Sequence, residues 1–468
     1  MQLDRFHTIY LIGIGGIGMS ALARYFRAAG RRVSGYDRTE TPLTKALVQE
    51  GIAVHYEDRV EAMGDEVLQH REETLVVYTP AVPTNHQELT FLREEGFEVQ
   101  KRSTVLGWIT EDHVTVAVAG THGKTTTSSM VAHLLTANGR NCTAFLGGIT
   151  QNYNTNLLLG EAARPDHIVV VEADEYDRSF LTLRPNVAVV TSADADHLDI
   201  YGDAAAIRES FELFIQRIVP GGHLMLREGL PLSVPAGLQV QQYGLDAQHN
   251  CVEHVRIEAG RYVFNLKLGE ERIEDVQMRT QGLHNAENAL AAALVARQLG
   301  LSLDEIRQAL NSFRGVRRRF EYIFESDEAV YLDDYAHHPT EIEAALASVR
   351  QLYPDKKLTL LFQPHLFSRT RDFAEEFARA LQKADQLLLL PIYPAREKPM
   401  EGVSSEWLLS LMEVAGGQVL SKIEALDYIS AHRPELLITM GAGDIDQLVE
   451  KIRNIYWEEH GFPATNAG

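Results

Sequence analysis

Residues 117–127 read AVAGTHGKTTT. The residues before Gly120 alternate β-branched and small apolar side chains, which is typical of a buried strand, and residues 128–135 favour a helix. A strand that passes through a glycine turn into a helix points several backbone N–H groups and the positive end of the helix dipole at one place. That place suits a phosphate group, which Lys124 can reach while the Thr125 hydroxyl holds Mg²⁺.

The strict phosphate-loop pattern is incomplete, because Val118 stands where its first glycine is expected. The shortened form keeps Gly123, Lys124 and Thr125 in the required order. An ordinary glycine turn with a solvated lysine is the alternative interpretation. Three threonines at the start of a helix are poor helix formers, and this favours a nucleotide site over the ordinary turn.

The bulk composition limits the class of protein. The chain has 468 residues, which is enough for roughly three domains of about 150 residues each. With 45% hydrophobic and 23% charged residues, it has the composition of a soluble globular protein. A formal net charge of −21 argues against a nucleic-acid partner, which would need a positive surface.

Cysteine content and the N-terminus bear on location. Cys142 and Cys251 are the only cysteines, which is typical of a reduced, cytosolic protein. The first residues lack the pattern of a signal peptide, and no apolar run approaches the ~20 residues needed to cross a bilayer. We therefore expect a cytoplasmic protein without membrane insertion, either a monomer or a weak homodimer.

A second glycine-rich loop opens the chain. Residues 13–18 read GIGGIG, between a predicted strand at 7–12 and a predicted helix at 21–29. A further predicted strand at 32–36 ends at Asp37. This is the dinucleotide fingerprint, and it predicts a phosphate or nucleotide ligand, with only weak support for NAD. A glycine turn that serves close helix–strand packing is the alternative.

Acidic residues follow two predicted strands of the middle region. The strand at 168–171 leads into EADEYD at 172–177, and the strand at 187–191 precedes DADHLD at 194–199. Carboxylates at strand ends beside a phosphate loop can form a metal site. Solvated loop acids are the alternative in so acidic a chain. Because both clusters lie at strand ends after the phosphate loop, we favour the metal site.

The last third of the chain predicts another α/β region, with strands near 329–333, 358–362, 386–392 and 436–440. Histidines and arginines follow the first two of these strands, so a functional sheet edge is favoured over buried structural histidines. Upstream, the basic run at 314–319 is either a solvated hinge or an anion clamp. Asn285 and Asn288 share a helix face, where asparagines can read an adenine edge or cap the helix.

Nine motifs, in this order along the chain, resemble those of the Mur ligase family. They are GIGGIGMS (13–20), AGTHGKTTT (119–127), EADE (172–175), DADHLD (194–199), HNAEN (284–288), RRF (318–320), DDYAHHPTE (333–341), FQPH (362–365) and GAGD (441–444). The resemblance covers nearly the whole chain. The GIGGIGMS start is similar to the branch that adds L-alanine rather than to the branch that recycles murein peptides.

The resemblance implies a fold of three α/β domains. These are an N-terminal Rossmann-like UDP-binding domain at 1–104, a central P-loop ATPase-like domain with a mainly parallel sheet at 105–314, and a C-terminal Rossmann-like domain at 315–468. It also implies a ligase that uses ATP and Mg²⁺ to join L-alanine to the lactyl carboxylate of UDP-N-acetylmuramate through an acyl phosphate, as the first amino-acid addition in peptidoglycan precursor synthesis. The alternative within the family is a ligase that adds a preformed peptide.

The resemblance further implies roles for individual residues, in four groups. Nucleotide-binding residues are Gly120, Thr121, His122, Gly123, Lys124, Thr125, Thr126, Asn285, Asn288, Arg319 and Asp334. Metal ligands are Thr125, Glu172 and His197. Substrate-binding residues are Gly15, Gly16, Ile17, Gly18 and Asp37 for the UDP-sugar, with Tyr335, His365 and Arg369 on the alanine side. Catalytic residues are Lys124, His337 and Arg369.

Two positions depart from the family pattern. Leu366 stands where an arginine usually follows Gln-Pro-His, so the carboxylate clamp would rest on Arg369. Asp194 stands where the pattern more often has a glutamate, and a shorter acid could shift a metal-bound water. Two other classes stay open: an NAD(P)-dependent oxidoreductase, which would leave Lys124 without a task, and a non-catalytic nucleotide-binding scaffold.

Overall fold

The structure is a computed structural model that describes residues 3–194, 201, 203–258, 260–395, 397–414 and 416–459. His197, one of the predicted metal ligands, lies outside the described residues. The chain divides into two compact units. Unit 1 comprises residues 1–253, 265–276 and 287–313, and unit 2 comprises residues 254–264, 277–286 and 314–468.

The first sheet of unit 1 is parallel, with strand order β3-β2-β1-β4-β5 among the described residues. Its strands are β1 Thr8–Ile12, β2 Arg32–Tyr36, β3 Ala53–His55, β4 Thr74–Tyr78 and β5 Glu98–Lys101. The helices around it are α1 Ile17–Ala28, α2 Pro42–Gln49, α3 Asp65–Leu68, α4 Gln87–Glu94 and α5 Arg102–Thr110. Buried apolar side chains cover both sheet faces, and the two central strands β1 and β4 are almost entirely apolar, as is typical of a parallel sheet covered on both faces.

The second sheet of unit 1 has the order β12-β11-β10-β6-β9-β7-β8. Its strands are β6 Val114–Ala119, β7 Cys142–Thr150, β8 Thr155–Leu158, β9 Ile168–Glu172, β10 Val187–Val190, β11 His223–Arg227 and β12 Gln239–Tyr243. The β7–β8 pair is antiparallel and the other pairs are parallel. The sheet packs against α6 Lys124–Ala137, and α7 Ala204–Ile215 follows β10 in the chain.

A buried asparagine ties the two sheets of unit 1 together. Asn156 on β8 donates to the Ile17 carbonyl at 2.6 Å and to Ser20 Oγ at 3.0 Å, both on α1. Arg24 on the same helix donates to Asn156 Oδ1 at 2.5 Å. Apolar residues of both sheets also share one buried cluster. The phosphate loop and the first glycine loop are therefore held within one packed body.

A three-stranded sheet and two helices complete the middle region. The strands are β13 Asn250–Glu258, β14 Arg261–Leu268 and β15 Glu271–Gln277, in that order. The helices are α8 Leu283–Gln298 and α9 Leu303–Ser312.

Unit 2 contains a mainly parallel sheet of order β16-β17-β21-β18-β19-β20, in which β16 is antiparallel to β17. Its strands are β16 Glu321–Glu325, β17 Val330–Asp334, β18 Leu358–Phe362, β19 Gln386–Leu389, β20 Gln418–Val419 and β21 Leu436–Met440. The helices are α10 Pro339–Leu352, α11 Phe367–Asp372, α12 Ala374–Leu381, α13 Ser405–Ser410, α14 Lys422–His432 and α15 Val449–Glu459.

The predicted α/β class with largely parallel sheets is confirmed. Four predicted strands have the observed bounds, namely 32–36, 74–78, 358–362 and 436–440. The predicted domain boundaries at 104 and 314 stay a prediction. None of the described helices is long and apolar enough to cross a membrane.

Candidate active site

The phosphate loop leaves β6 at Gly120 and enters α6 at Gly123. Both glycines have positive φ, of 139° and 82°. A Cβ atom at Gly120 would overlap Thr191 Oγ1, and one at Gly123 would lie 2.7 Å from Asn288 Oδ1. Because L side chains rarely adopt such φ values and both approaches are too close for a Cβ, the turn needs glycine at each position.

Hydroxyl groups that follow β10 hold the loop. Ser192 Oγ accepts from the His122 backbone N–H at 2.7 Å and from Thr121 Oγ1 at 3.0 Å. The Thr191 hydroxyl donates to the His122 carbonyl at 2.5 Å. His122 Nε2 lies 3.4 Å from Asp194 Oδ2. Sequence reasoning missed Thr191 and Ser192, although their place after a strand next to the loop strand was a usable signal.

Lys124 forms a buried ion pair. Its Nζ lies 2.8 Å from Glu175 Oε2, and their side chains are 13% and 2% exposed. It also donates to the Gly120 carbonyl at 2.5 Å. Burial alone would lower the pKa of Lys124, but the carboxylates of Glu175, Asp174 and Glu172 outweigh it, so the pKa is raised and the ammonium keeps its charge. Sequence reasoning missed Glu175 as a separate site residue, although it belongs to the quoted EADE motif.

The end of β9 offers an oxygen ligand for a cation. Glu172 Oε2 is buried and has no hydrogen-bond partner among the described residues. A buried carboxylate without a partner is costly, and a bound cation would remove that cost. Magnesium is usually held by one or two protein oxygens together with phosphate oxygens and water. Glu172 and the Thr125 hydroxyl fit that requirement, although the described residues hold no cluster of three or more His, Cys, Asp and Glu side chains suited to a metal.

The first glycine loop is held by the end of β2. The Tyr36 carbonyl accepts from the backbone N–H groups of Gly13 at 2.8 Å and Ile14 at 3.0 Å. Asp37 Oδ2 accepts from the Gly15 N–H at 2.8 Å. Asp37 was predicted to bind substrate, and in the structure its carboxylate supports the loop.

The remaining predicted residues of this loop start helix α1. Gly16 is the N-cap of the helix, Ile17 is its first residue, and Gly18 follows in the first turn. The first N–H groups of a helix have no partner within it, so they are suited to an anion. The loop thus has the local geometry of a phosphate site.

Arg102 lies next to the first glycine loop and the acids after β9, and sequence reasoning missed it. A Cβ atom at Gly18 would lie 3.0 Å from Arg102 Nη1. On its other side, Arg102 Nη2 lies 3.6 Å from Asp174 Oδ2. The guanidinium therefore lies between the first glycine loop and the acids after β9. The signal available in the sequence was the basic pair at the end of β5.

Asp334 closes β17 in unit 2 and is buried. Its Oδ1 accepts from the Ala336 N–H at 2.7 Å and its Oδ2 from the Phe320 N–H at 2.8 Å. Burial raises the pKa of Asp334 to about 6, even though Arg319 and both backbone N–H groups favour the ionised form. The side chain thus anchors the turn after β17 and the segment that carries Arg319.

The other predicted residues of unit 2 form one continuous group. The guanidinium of Arg319 lies 4.9 Å from the Tyr335 ring centre, and the Tyr335 and His337 ring centres are 5.2 Å apart. The His337 and His365 ring centres are 6.0 Å apart. Arg369 Nη1 lies 3.4 Å from His365 Nδ1. The structure therefore brings together five side chains from three segments, which precede β16, follow β17 and follow β18: Arg319, Tyr335, His337, His365 and Arg369.

Glu341 was missed as a site residue and orients this group. Its Oε2 accepts from the backbone N–H groups of His337 at 3.0 Å and His338 at 3.3 Å. Its Oε1 lies 3.9 Å from Arg319 Nη1. Glu341 is the third residue of α10, with His338 as the N-cap. The signal was present, because a glutamate three residues after an N-cap is the capping-box pattern.

Leu366, which departs from the family pattern, also has a backbone conformation that is rare for a leucine. Its φ of +70° lies in the left-handed region, which costs a non-glycine residue roughly 1–3 kcal/mol. The turn is held because the Leu366 N–H donates to the Tyr393 carbonyl at 2.9 Å, and the Leu366 carbonyl accepts from Thr370. This turn starts α11, which carries the buried Arg369. Leu366, the residue that departs from the family pattern, therefore forms the turn that leads into the helix carrying Arg369.

The two asparagines on α8 make different contacts. Asn285 Nδ2 donates to the Gln281 carbonyl at 2.8 Å, within unit 2. Asn288 Oδ1 accepts from Thr127 Oγ1 at 3.1 Å, within unit 1. Asn288 therefore supports the phosphate loop. An adenine role for either asparagine stays a prediction.

Family models match the chain in three consecutive stretches. "Mur ligase family, catalytic domain" matches residues 8–113, "Mur ligase middle domain" matches 118–296 and "Mur ligase, glutamate ligase domain" matches 318–443. These stretches include both glycine-rich loops of unit 1 and the histidine and arginine group of unit 2.

Curated relatives match over almost their whole length. The UDP-N-acetylmuramate–L-alanine ligase of Cytophaga hutchinsonii is 48% identical, covering 98% of this chain and 99% of the relative. The protein of the same name from Porphyromonas gingivalis is 45% identical, covering 95% and 98%.

Solved structures also match the chain over almost its whole length. The UDP-N-acetylmuramate–alanine ligase of Thermotoga maritima matches with a TM-score of 0.81 at 28% identity, covering 97% of this chain and 99% of that one. A murein peptide ligase of Psychrobacter arcticus shares the fold, with a TM-score of 0.69 at 22% identity, covering 99% and 100%. With three matching family models and relatives near half identity along its whole length, the chain belongs to the Mur ligase family.

Proposed function

We propose that this chain is an ATP-dependent ligase that joins L-alanine to the lactyl carboxylate of UDP-N-acetylmuramate, releasing ADP and phosphate. The observation that carries this proposal is that unit 1 holds two separate phosphate-type loops, and that Arg102 lies between the first of them and the acids after β9. One loop suits the diphosphate of a UDP-sugar, and the other suits ATP. Relatives at 45–48% identity are named for the same two substrates, which supports this choice.

The reaction requires activation of an acid. A carboxylate does not condense with an amine unaided, so the lactyl carboxylate takes the γ-phosphoryl group of ATP, and the bond to ADP breaks. The amine of alanine then attacks the acyl phosphate, phosphate leaves, and the amine gives up a proton. Phosphoryl transfer of this kind depends on positioning and charge neutralisation.

Lys124 is assigned to the β- and γ-phosphates, along with the loop residues Gly120 to Thr126. Its ammonium keeps its charge in the buried pair with Glu175. Thr125 and Glu172 are assigned to Mg²⁺, which when bound would neutralise phosphate charge, and His197 is assigned to the same metal. Water exclusion around the acyl phosphate would protect it from hydrolysis.

The group in unit 2 is assigned to the later steps. Asn285, Asn288, Arg319 and Asp334 are assigned to the nucleotide, and His337 to the γ-phosphate side. Tyr335, His365 and Arg369 are assigned to alanine and the new carboxylate. The support is that Arg319, Tyr335, His337, His365 and Arg369 form one group of neighbouring side chains. We also retain a cytoplasmic location and a monomer or weak dimer as part of the proposal.

The decisive experiment measures phosphate release with ATP, Mg²⁺ and a panel of amino acids. We expect release only when UDP-N-acetylmuramate and L-alanine are both present. A tripeptide acceptor serves as the comparison, because faster turnover with the peptide would assign the chain to the peptide-adding branch. Robust release with either substrate omitted would contradict the ligase assignment, and nicotinamide turnover would revive the oxidoreductase alternative.

Arg369→Lys tests the alanine carboxylate clamp. Arginine binds a carboxylate with two parallel N–H donors, whereas lysine offers a single point charge. We expect KM for alanine to rise by about tenfold with a smaller change in KM for ATP. Arg371→Lys is the matched control, because that neighbouring arginine is exposed and pairs with Asp372. An unchanged KM for alanine in Arg369→Lys would remove Arg369 from the clamp.

A further inference from the structure

Three titratable side chains form a line of short contacts between the first sheet of unit 1 and helix α4. Tyr10 on β1 and Glu88 on α4 are fully buried, and His55 ends β3. The Tyr10 hydroxyl lies 2.6 Å from Glu88 Oε2 and 2.7 Å from His55 Nε2. His55 Nδ1 lies 3.1 Å from the Glu57 carbonyl.

The number of protons that the line needs follows from its three contacts. A carbonyl only accepts, so His55 Nδ1 must donate to Glu57. The Tyr10 hydroxyl has one proton for its two short contacts. Both contacts are hydrogen bonds only if a further proton is present, either on Glu88 or on His55 Nε2. If that proton is lost, the single Tyr10 proton can serve only one of the two contacts. In the other contact a lone pair of the Tyr10 oxygen faces a lone pair of its neighbour, and that hydrogen bond is lost.

Burial indicates where this proton lies. It lowers the pKa of His55 and raises the pKa of Glu88 to about 7. Just below neutral pH, Glu88 is then mainly the protonated group, and it donates to Tyr10, which donates to a neutral His55. The titratable groups that face the line from the packed elements are Asp58, His86, Tyr36 and Glu57. The Arg59 backbone N–H donates to Glu88 Oε1 at 3.3 Å.

The line contacts the support of the first glycine loop. The Tyr36 ring lies between His55 and His86, with ring centres 5.6 Å and 4.6 Å away. The Tyr36 carbonyl holds Gly13 and Ile14. The His55 carbonyl accepts from the Asp37 N–H at 3.0 Å, and Asp37 holds Gly15. His55 is thus connected to the loop in two ways: its ring packs against Tyr36, and its carbonyl accepts a hydrogen bond from Asp37.

We propose that Tyr10, His55 and Glu88 are positioning residues that hold one proton just below neutral pH and thereby keep the first glycine loop in its substrate-binding conformation. The proton leaves as the pH rises above neutrality, one hydrogen bond of the line is lost, and affinity for the UDP-sugar falls. The link to the UDP-sugar rests on the proposed function, whereas the proton itself does not.

Glu88→Gln tests the proposal, because the amide donates to Tyr10 permanently and reproduces the protonated line. We expect wild-type KM for UDP-N-acetylmuramate to rise by about threefold between pH 6.5 and 8.5, as expected for loss of one buried hydrogen bond. In Glu88→Gln this rise disappears, and KM for ATP is unchanged. Glu94→Gln changes an exposed acid on the same helix; it is the matched control and keeps the wild-type profile.

Thermal unfolding provides a readout that is independent of turnover. The pKa of Glu88 is raised from its ordinary value of 4.5 to about 7, so the folded state keeps a proton that the unfolded chain has released between these values. Wild-type stability therefore falls as the pH rises through this interval. Glu88→Gln lacks this fall, so the difference in Tm between variant and wild type grows from pH 4.5 to 7.

Specific outcomes would overturn the proposal or show whether it fails separately from the proposed function. A constant Tm difference across this interval, or a wild-type KM profile retained in Glu88→Gln, overturns the proposal. Should Glu88→Gln fail to fold, Tyr10→Phe provides the same test, because it interrupts the line and should also abolish the pH dependence of KM. If UDP-N-acetylmuramate does not bind at any pH, the proposed function and the loop coupling both fail, while the Tm curves still report on the proton.

Discussion

Lys124→Ala should lower turnover by roughly 10³-fold, because it removes the charge assigned to the phosphates during transfer. The same change should also destabilise the protein. Glu175 is 2% exposed and pairs with Lys124, and a buried charge that loses its partner costs about 3–5 kcal/mol. Steady-state phosphate release and thermal unfolding together measure both effects.

The double variant Lys124→Met, Glu175→Gln separates stability from catalysis. It removes both charges and keeps the volumes, so it should recover most of the lost Tm, while turnover should stay as low as in Lys124→Ala. A double variant that regains turnover would show that Lys124 acts only through folding. Turnover near wild type in Lys124→Ala would remove the lysine from the mechanism altogether.

Glu172→Gln should lower turnover by at least about 10²-fold and raise the Mg²⁺ concentration needed for half-maximal rate, because it removes a negative oxygen assigned to the metal. Its effect on stability should be much smaller than that of Lys124→Ala. Glu172 Oε2 is buried without a hydrogen-bond partner among the described residues. The variant removes the unmet hydrogen-bonding requirement of this oxygen and also the attraction between Glu172 and Lys124, so Tm should change little.

Asp166→Asn is the matched control for this test, since Asp166 is an exposed acid of the same unit that pairs with Arg164. It should leave turnover and Mg²⁺ dependence unchanged. Isothermal calorimetry with Mg²⁺ and a non-hydrolysable ATP analogue would measure the loss of metal binding directly. A Glu172→Gln variant that loses Tm and keeps its Mg²⁺ dependence would assign Glu172 to structure and not to the metal.

Several residues selected from the motifs support the loops around them. Asp37 holds the Gly15 N–H, and Asn288 holds Thr127. Glu341 was not selected, yet it holds the backbone of His337 and His338. Backbone N–H groups at turns need acceptors when they are buried. Some of the polar residues in these motifs therefore shape the loops of the site, and their predicted contacts with ligands stay a prediction.

The sequence by itself determined the fold class, the four strands with matching bounds and the phosphate loop, because apolar periodicity and glycine position depend on residues close together in the chain. It also determined the family, because the nine motifs occur in one order. These features depend on local backbone preference and residue type.

Only the tertiary structure decided which charges are paired and which are not. Glu172 and Glu175 lie three residues apart in one acidic motif, yet Glu175 pairs with Lys124 while Glu172 Oε2 is buried without a hydrogen-bond partner among the described residues. The Tyr10, His55 and Glu88 line likewise joins three distant segments. Such contacts depend on how strands and helices pack across long stretches of chain, and burial then sets their proton affinities.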